Sequence, residues 1–417
     1  MHQSIHSSSA VSTNKCKDIY ETKDTKGHRA EVGESIDAIA DALQLGQNQL
    51  QGFGYSSGLL GKVLFFYYYS EYTANSNYAQ WAENLLTKAI GKVSKPYQGR
   101  NYYKEVSELG IFIEYMSANN LLQTDTDKLL TPLDLVQIVG METALKQNNF
   151  DPGNGALAAG LYFLARSQSS SQVHAYLYQL TEALLAMAHT NEKGHLFWKS
   201  QLFSSENIYL GISHGLALII LFLCRMYKLS ILPDKCKHAI HHTAMYILSH
   251  QKDYRNEGYF FPNIVGEAAK TTRLGLCYGD MGVGYSLYQA SVILQDDSLQ
   301  TKAIEIFDFS AERINPEQNL VCDAGILYGA SGVALLFDRM FDLTQRSLYK
   351  QAASYWYESI PSYSVTTNAT AGYQGVFNQA FDHTNIAFME GIAGIGCTLI
   401  KYTDRDNYCF DDLIWLI

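Results

Sequence analysis

ILYGASGVALLFDR, residues Ile326–Arg339, repeats in frame the stretch LCYGDMGVGYSLYQ, residues Leu276–Gln289. Each carries Tyr-Gly-x-x-Gly and then an apolar run of helical length. Five further copies share the pattern: SGLLGKVLFF from Ser57, SELGIFIEYM from Ser107, NGALAAGLYF from Asn154, HGLALIILFL from His214 and EGIAGIGCTL from Glu390. With the first glycine or its equivalent as the mark, the copies fall at 58, 107, 155, 215, 279, 329 and 391. The steps of 48 to 64 residues leave room for two helices and their loops in every repeat.

The intervening segments have the period of surface helices. Ile36, Ile39, Ala40 and Leu43 fall at i, i+3, i+4 and i+7, and Trp81, Leu85 and Ala89 recur every fourth position. Similar segments run over 132–147, 171–190, 233–251, 299–314 and 347–360. Helices apolar on all sides must lie inside amphipathic ones, so the expected fold is all-α: an α/α toroid of seven inner and seven outer helices. Glycine at each inner helix start would let backbones approach one another and leave the first N–H groups for a ligand. All seven starts would converge on one end. Residues 31–417 then make a single domain, preceded by a mobile polar tail over 1–30.

Composition narrows the function. Of the 417 residues 47% are hydrophobic and 17% charged, with a net charge of -10 and no cluster of Lys and Arg, which argues against nucleic acid. The longest apolar run, Leu216–Cys224, is too short for a membrane span. Seven cysteines without close pairs, and an N-terminus without the apolar core of a signal peptide, fit a reducing cytoplasm.

The later copies carry reactive groups at or near one repeat position: Asp151, His214, Cys277 with Tyr278, Tyr328 and Glu390. An imidazole, carboxylates, a thiol and phenols facing one cavity suit acid/base chemistry. GISHG from Gly211, RLGLCYGDMG from Arg273, DAGILYGASG from Asp323 and MEGIAGIG from Met389 resemble the lanthionine synthetase C family over nearly the whole chain after the tail. The resemblance implies a seven-fold α/α toroid and closure of thioether rings by addition of Cys thiols to dehydroalanine or dehydrobutyrine in a precursor peptide. It also implies zinc, held by three protein ligands with a fourth position open for the substrate thiol.

Carried over residue by residue, His214 matches the family's Gly-x-x-His-Gly, Asp151 its Asp before the third repeat glycine, and Arg273 and Tyr278 flank Cys277 as in the family. Cys277 matches one zinc ligand. Leu327 and Tyr328 replace the family's Cys-His pair. The expectation is a cyclase working without the usual zinc site: His214 as acid/base, Asp151 orienting it, Arg273 and Tyr278 at the enolate, and Tyr328 and Glu390 facing the substrate. Cys322 or His383 could in principle rebuild a metal site. Alternatives are a non-catalytic peptide binder serving a partner dehydratase, and a toroid glycosidase using Asp151, Asp280 and Glu390. His238 and His242 read as surface histidines of an outer helix. The aromatic segments His195–Phe203 and Glu257–Val265 are expected to be extended at the pocket rim.

Overall fold

The computed structural model describes residues 25–45, 52–94, 96–97, 101–200, 206–267, 272–367, 370–377 and 385–416. Cys16, His383 and residues 1–24 lie outside them. Among the described residues fourteen long helices alternate in burial. The outer ones are α1 (Thr25–Leu45), α3 (Ser76–Val93), α5 (Thr126–Lys146), α7 (His174–Ala186), α9 (Pro233–Leu248), α11 (Asp297–Glu312) and α13 (Ser347–Ser359). The inner ones are α2 (Leu59–Thr73), α4 (Tyr102–Ala118), α6 (Ala156–Arg166), α8 (Leu216–Lys228), α10 (Asp280–Leu294), α12 (Ala330–Thr344) and α14 (Ile392–Thr403). In α8 every residue from Leu216 to Cys224 is buried, whereas α3 buries only Ala82, Leu85, Leu86 and Ala89. This is the expected α/α toroid.

Each inner helix from α2 to α12 packs against the outer helix that follows it, and α14, the last, packs against α1 and α2. The first helix of the chain therefore serves as outer partner to the last, which closes the ring. Gly396 makes that closure possible: a Cβ there would stand 2.3 Å from the Phe65 ring and 3.0 Å from Ile39. Helix α1 begins at Thr25, inside the stretch assigned to the tail.

Two sequence expectations about helix starts are corrected. Pro132 lies inside α5, which begins at Thr126 with Asp125 as its cap. The proline faces solvent, where water can replace the bond its missing N–H would make. In the second repeat the inner helix starts at Tyr102, capped by Asn101, so Ser107 lies within the helix and donates to the Ala158 carbonyl. Glu105 and Glu108 on this early-starting helix bind the neighbouring loop instead, accepting from the N–H groups of Gly54 and Ser56, each at 3.1 Å.

Away from the ring of loops, a fully buried cation ties several helices together. Arg166, 0% exposed, pairs with Glu114 (2.9 Å) and Asp134 (3.0 Å), and reaches Asp127 at the surface (2.9 Å). Tyr162 donates to the same Asp134 at 2.6 Å. Desolvating these charges is tolerable only because every partner is present. Arg166→Met strands two carboxylates and is expected to cost about 3–5 kcal/mol, read as a lowered urea midpoint. An unchanged midpoint would contradict this role for the network.

Candidate functional site

The loops before the inner helices build the site. In most repeats the chain enters by a tight seven-residue loop closed on itself: Leu216 N–H donates to the Tyr209 carbonyl (3.0 Å), Ala330 to Asp323 (3.0 Å), Leu59 to Gly52 (3.2 Å) and Ala156 to Asn149 (2.9 Å). These bonds take up first-turn N–H groups that a helix leaves open, so the expected ligand-binding helix starts are already satisfied. Glycine is required because the loop folds onto itself: at Gly215 a Cβ would lie 2.3 Å from the Tyr209 oxygen. Gly279 needs in addition a φ of 84°, open to glycine at no steric cost.

The loops also bond to one another around the axis. Ile212 N–H donates to the Cys277 carbonyl (3.1 Å), Cys277 to Leu327 (3.2 Å), Leu327 to Met389 (3.0 Å) and Met389 to Ser56 (3.2 Å). This backbone chain fixes two levels of side chains. Ser56, Ser213, Cys277, Leu327 and Met389 form one level, and Ser57, His214, Tyr278, Tyr328 and Glu390 stand half-buried at the next. The shared position inferred from the repeats is thus real in space for His214, Tyr278, Tyr328 and Glu390.

Asp151 joins them from its own loop. Its Oδ2 meets His214 Nδ1 at 2.5 Å, while its Oδ1 accepts from the N–H groups of Gly153 (2.8 Å) and Asn154 (2.9 Å). The carboxylate is held by its loop and in turn orients the ring. A hydrogen bond from Nδ1–H to Asp151 would leave Nε2 to act as the base, and the side chain is 23% exposed. The ring lies 6.3 Å from Tyr278, which stacks on Tyr328 at 6.2 Å with planes 14° apart. Tyr328 continues to Phe377 (4.7 Å), and Arg273 covers Phe377 at 3.9 Å.

Arg273 therefore sits at the far end of an aromatic row, its Nε bonded to the Leu320 carbonyl at 2.9 Å. It contacts Phe377 rather than the dyad, which argues for a role at the rim instead of at an enolate. Tyr209, Ser213 and Phe377 were missed in the sequence. Tyr209 lies 5.8 Å from the His214 ring and is set by extended pairing with Ile264. Ser213 could have been found, since it holds in its loop the position Cys277 holds in the next. Phe377 follows no motif.

Beneath the tyrosines, Cys277 is 0% exposed and receives the Ser213 hydroxyl at 2.5 Å. Burial pushes its thiol up to about 12, and the Glu390 carboxylate adds to this, against the hydroxyls of Ser213 and Tyr328 that favour the thiolate. Burial likewise raises the phenols of Tyr278 and Tyr328, so both keep their protons and can donate them. The Cys277 thiol is neutral in the fold well above the ~8.5 of a free cysteine. It therefore adds no pH dependence to stability below about 8, and the unfolded chain gains on it as pH rises towards 12. At pH 7.5 iodoacetamide is expected to label exposed Cys322 at least about tenfold faster than Cys277 by peptide mapping. Equal rates in the folded protein would show an open, ionised thiol.

The donors around Cys277 do not fit tetrahedral zinc. A hydrocarbon stands at 327, and the nearby oxygens belong to a serine and a tyrosine that retain their protons. Among the described residues no group of three or more His, Cys, Asp or Glu is placed to hold a metal ion. Cys322 is exposed beside Arg273 and Asp323, away from the ring position, and His383 lies outside the described residues. His238 and His242 lie on outer helix α9 with ring centroids 4.3 Å apart and planes tilted by 42°. Asp280 is no glycosidase carboxylate in the cavity: it is fully buried, accepts from Phe260 and Phe261 N–H (3.0 and 2.9 Å) and pairs with Arg313 at 3.2 Å. These bonds anchor the second aromatic segment.

Of the first aromatic segment, residues 195–200 are described and residues 201–203 lie outside the described residues. Leu196–Phe197 pairs with His189–Thr190 in a short hairpin, Phe197 stacks on Tyr246 of α9, and Trp198 donates to the Leu184 carbonyl of α7. Trp198, Lys199 and Ser200 then line a small cleft with Asp151 and His214.

The model of the lanthionine synthetase C-like protein family matches residues 49–414. The chain belongs to this family. Among solved structures it is similar to nisin cyclase, with a TM-score of 0.67 and 16% identity over 92% of this chain and 96% of that one, a likeness of fold. A sugar epimerase from a ruminal bacterium and a possible GH105 family member from Salmonella enterica serovar Paratyphi A each align at 11% identity and a TM-score of 0.43. They cover 90% and 98% of this chain, and 98% and 100% of their own, and carry no argument here. No curated protein sequence matches the chain. Among the described residues no helix is long and apolar enough to cross a membrane.

Proposed function

We propose that this chain is a thioether-forming cyclase of modified-peptide biosynthesis that works without the family's three-ligand zinc site, in a reducing cytoplasm. The observation that carries the reading is the His214–Asp151 pair: an imidazole oriented by a loop-held carboxylate, half-open at the mouth, beside protonated tyrosines. His214 Nε2 takes the proton of a substrate Cys thiol, and the thiolate forms the S–C bond at Cβ of a dehydroalanine or dehydrobutyrine. The electron pair of the Cα=Cβ bond moves into an enolate, which the Tyr278 hydroxyl stabilises by donating a hydrogen bond. The imidazolium returns the proton to Cα. No electrons are gained or lost overall, so no redox partner is needed.

Asp151 holds the ring in place through Nδ1. The row of Tyr209, Tyr278, Tyr328 and Phe377 gives an apolar peptide segment a surface to lie on. Glu390 acts on both Cys277 and Tyr328 and completes the far wall. The family and the acidic net charge support a precursor peptide as substrate, prepared by a partner dehydratase.

The neutral, enclosed Cys277 favours the second reading, a peptide binder without chemistry, because nothing in this site activates a thiol through metal. Incubation with a dehydrated, Cys-containing peptide separates the two. Loss of alkylatable substrate thiol without change in peptide mass is the expected result. Binding with the thiol fully retained would establish the binder.

A further inference from the structure

Towards the end of the toroid away from the loop ring, the C-terminal halves of α4 and α6 and the last turn of α8 border a gap. The last turns of the chain fold across this end, with Phe410, Leu413 and Ile414 fully buried. Between them remains a cavity of about 320 Å³, at the small end of ligand-binding pockets, with Tyr55 reaching it from the ring side. Its walls include Ile111, Leu161, Leu164 and Trp415, and one guanidinium, Arg225, lines it. Trp415 takes a left-handed φ of 66°, which is costly for a bulky side chain.

The charges are distributed unevenly. Glu114, also in the wall, is committed to Arg166 and Ser169, and Asp412 forms no ion pair with Arg225. Among the described residues Arg225 has no hydrogen-bonding or ion-pair partner for its side chain. One turn further along α8, Lys228 also has no ion pair among the described residues; burial lowers its ammonium, Cys224 works against this, and Arg225 and Arg339 lower it further. Basic residues in a last turn do complement the helix dipole. That effect leaves unexplained why the guanidinium stays unpaired in a wall of mixed character that also carries Glu114 and Asp412.

We propose that this cavity is a second binding site, for a small apolar monocarboxylate whose carboxylate pairs with Arg225 and whose body lies against Ile111, Leu161, Leu164 and Trp415. A guanidinium matches a carboxylate with two parallel bonds. Asp412 at the mouth opposes a second negative charge. A fatty acid and the C-terminus of an apolar peptide share this chemistry. The site is separate from the loop ring and does not depend on the reaction proposed there.

Calorimetric titration of the full chain with octanoate tests it, with octanol as the uncharged probe of equal length. Octanoate is expected to bind once per chain and at least about tenfold more tightly than octanol, the scale of one charge-assisted hydrogen bond. Arg225→Gln removes that advantage and leaves octanol unchanged. Leu161→Trp fills the cavity and abolishes both, with its unfolding midpoint reporting that the fold is intact. Acetyl-Leu-Leu binding more tightly than octanoate assigns a peptide C-terminus, and the reverse assigns a fatty acid. Equal affinities for octanoate and octanol, unaltered octanoate binding in Arg225→Gln, or no octanoate binding at millimolar concentration overturns the proposal.

Discussion

Leu327→Cys combined with Tyr328→His is expected to turn this chain into a zinc protein with one tightly held ion. The backbone is already in place, since Cys277 N–H bonds the Leu327 carbonyl at 3.2 Å and Tyr328 lies over Cys277 in the next loop. Two added ligands would complete a three-ligand site with an open fourth position. A site of this kind supplies on the order of 10 kcal/mol at neutral pH, so the gain over wild type should span several orders of magnitude in affinity. Binding must also draw the proton from Cys277, a thiol that burial otherwise holds neutral up to about 12. Proton release on zinc addition and loss of zinc on acidification are therefore expected with it. Competition with a chelating dye measures the affinity. Failure of the folded double variant to bind zinc would mean that the loops have moved away from metal-binding geometry. Stoichiometric zinc on the wild type would mean that ligands beyond the described residues complete the site.

His214→Ala is expected to lower ring closure by about 10²–10⁴-fold, the usual contribution of a positioned acid/base. Peptide affinity should stay within about twofold, because the aromatic row that carries the peptide is untouched. Asp151→Asn should fall between wild type and His214→Ala: the amide can still meet Nδ1, but it can turn either its oxygen or its NH2 to the ring and so orients it less well. A drop in affinity that matches the drop in rate would instead show that His214 binds peptide. Single-turnover rates and titration of a dehydrated peptide separate the two effects.

The toroid was legible because repetition made the argument. One apolar run from Leu216 to Cys224 cannot be told from any buried helix, but seven such runs, six of them Gly-marked, alternating with amphipathic ones can hardly be arranged otherwise. Asp151, His214, Tyr278 and Tyr328 were legible through the same register. What the repeat could not convey was departure from itself. The second inner helix starts early because Asn101 caps it and Glu105 and Glu108 take over the contacts of a missing glycine loop. The helix-start N–H groups looked open, yet in most repeats the loop folds back onto them, a closure that depends on loop conformation rather than residue type. Arg273 kept its sequence spacing to Cys277, but Phe377, more than a hundred residues away along the chain, interposes its ring. Phe377 and Tyr209 reach the site by tertiary pairing, which leaves no periodic trace.

The most direct test of the account is the rate of ring closure by protein stripped of metal, measured by alkylation of the remaining thiols in a dehydrated peptide. The account predicts that the stripped wild type closes rings at the same rate with and without added zinc, and that His214→Ala loses the reaction under both conditions. A wild-type reaction that stops on stripping and returns only with zinc would contradict it.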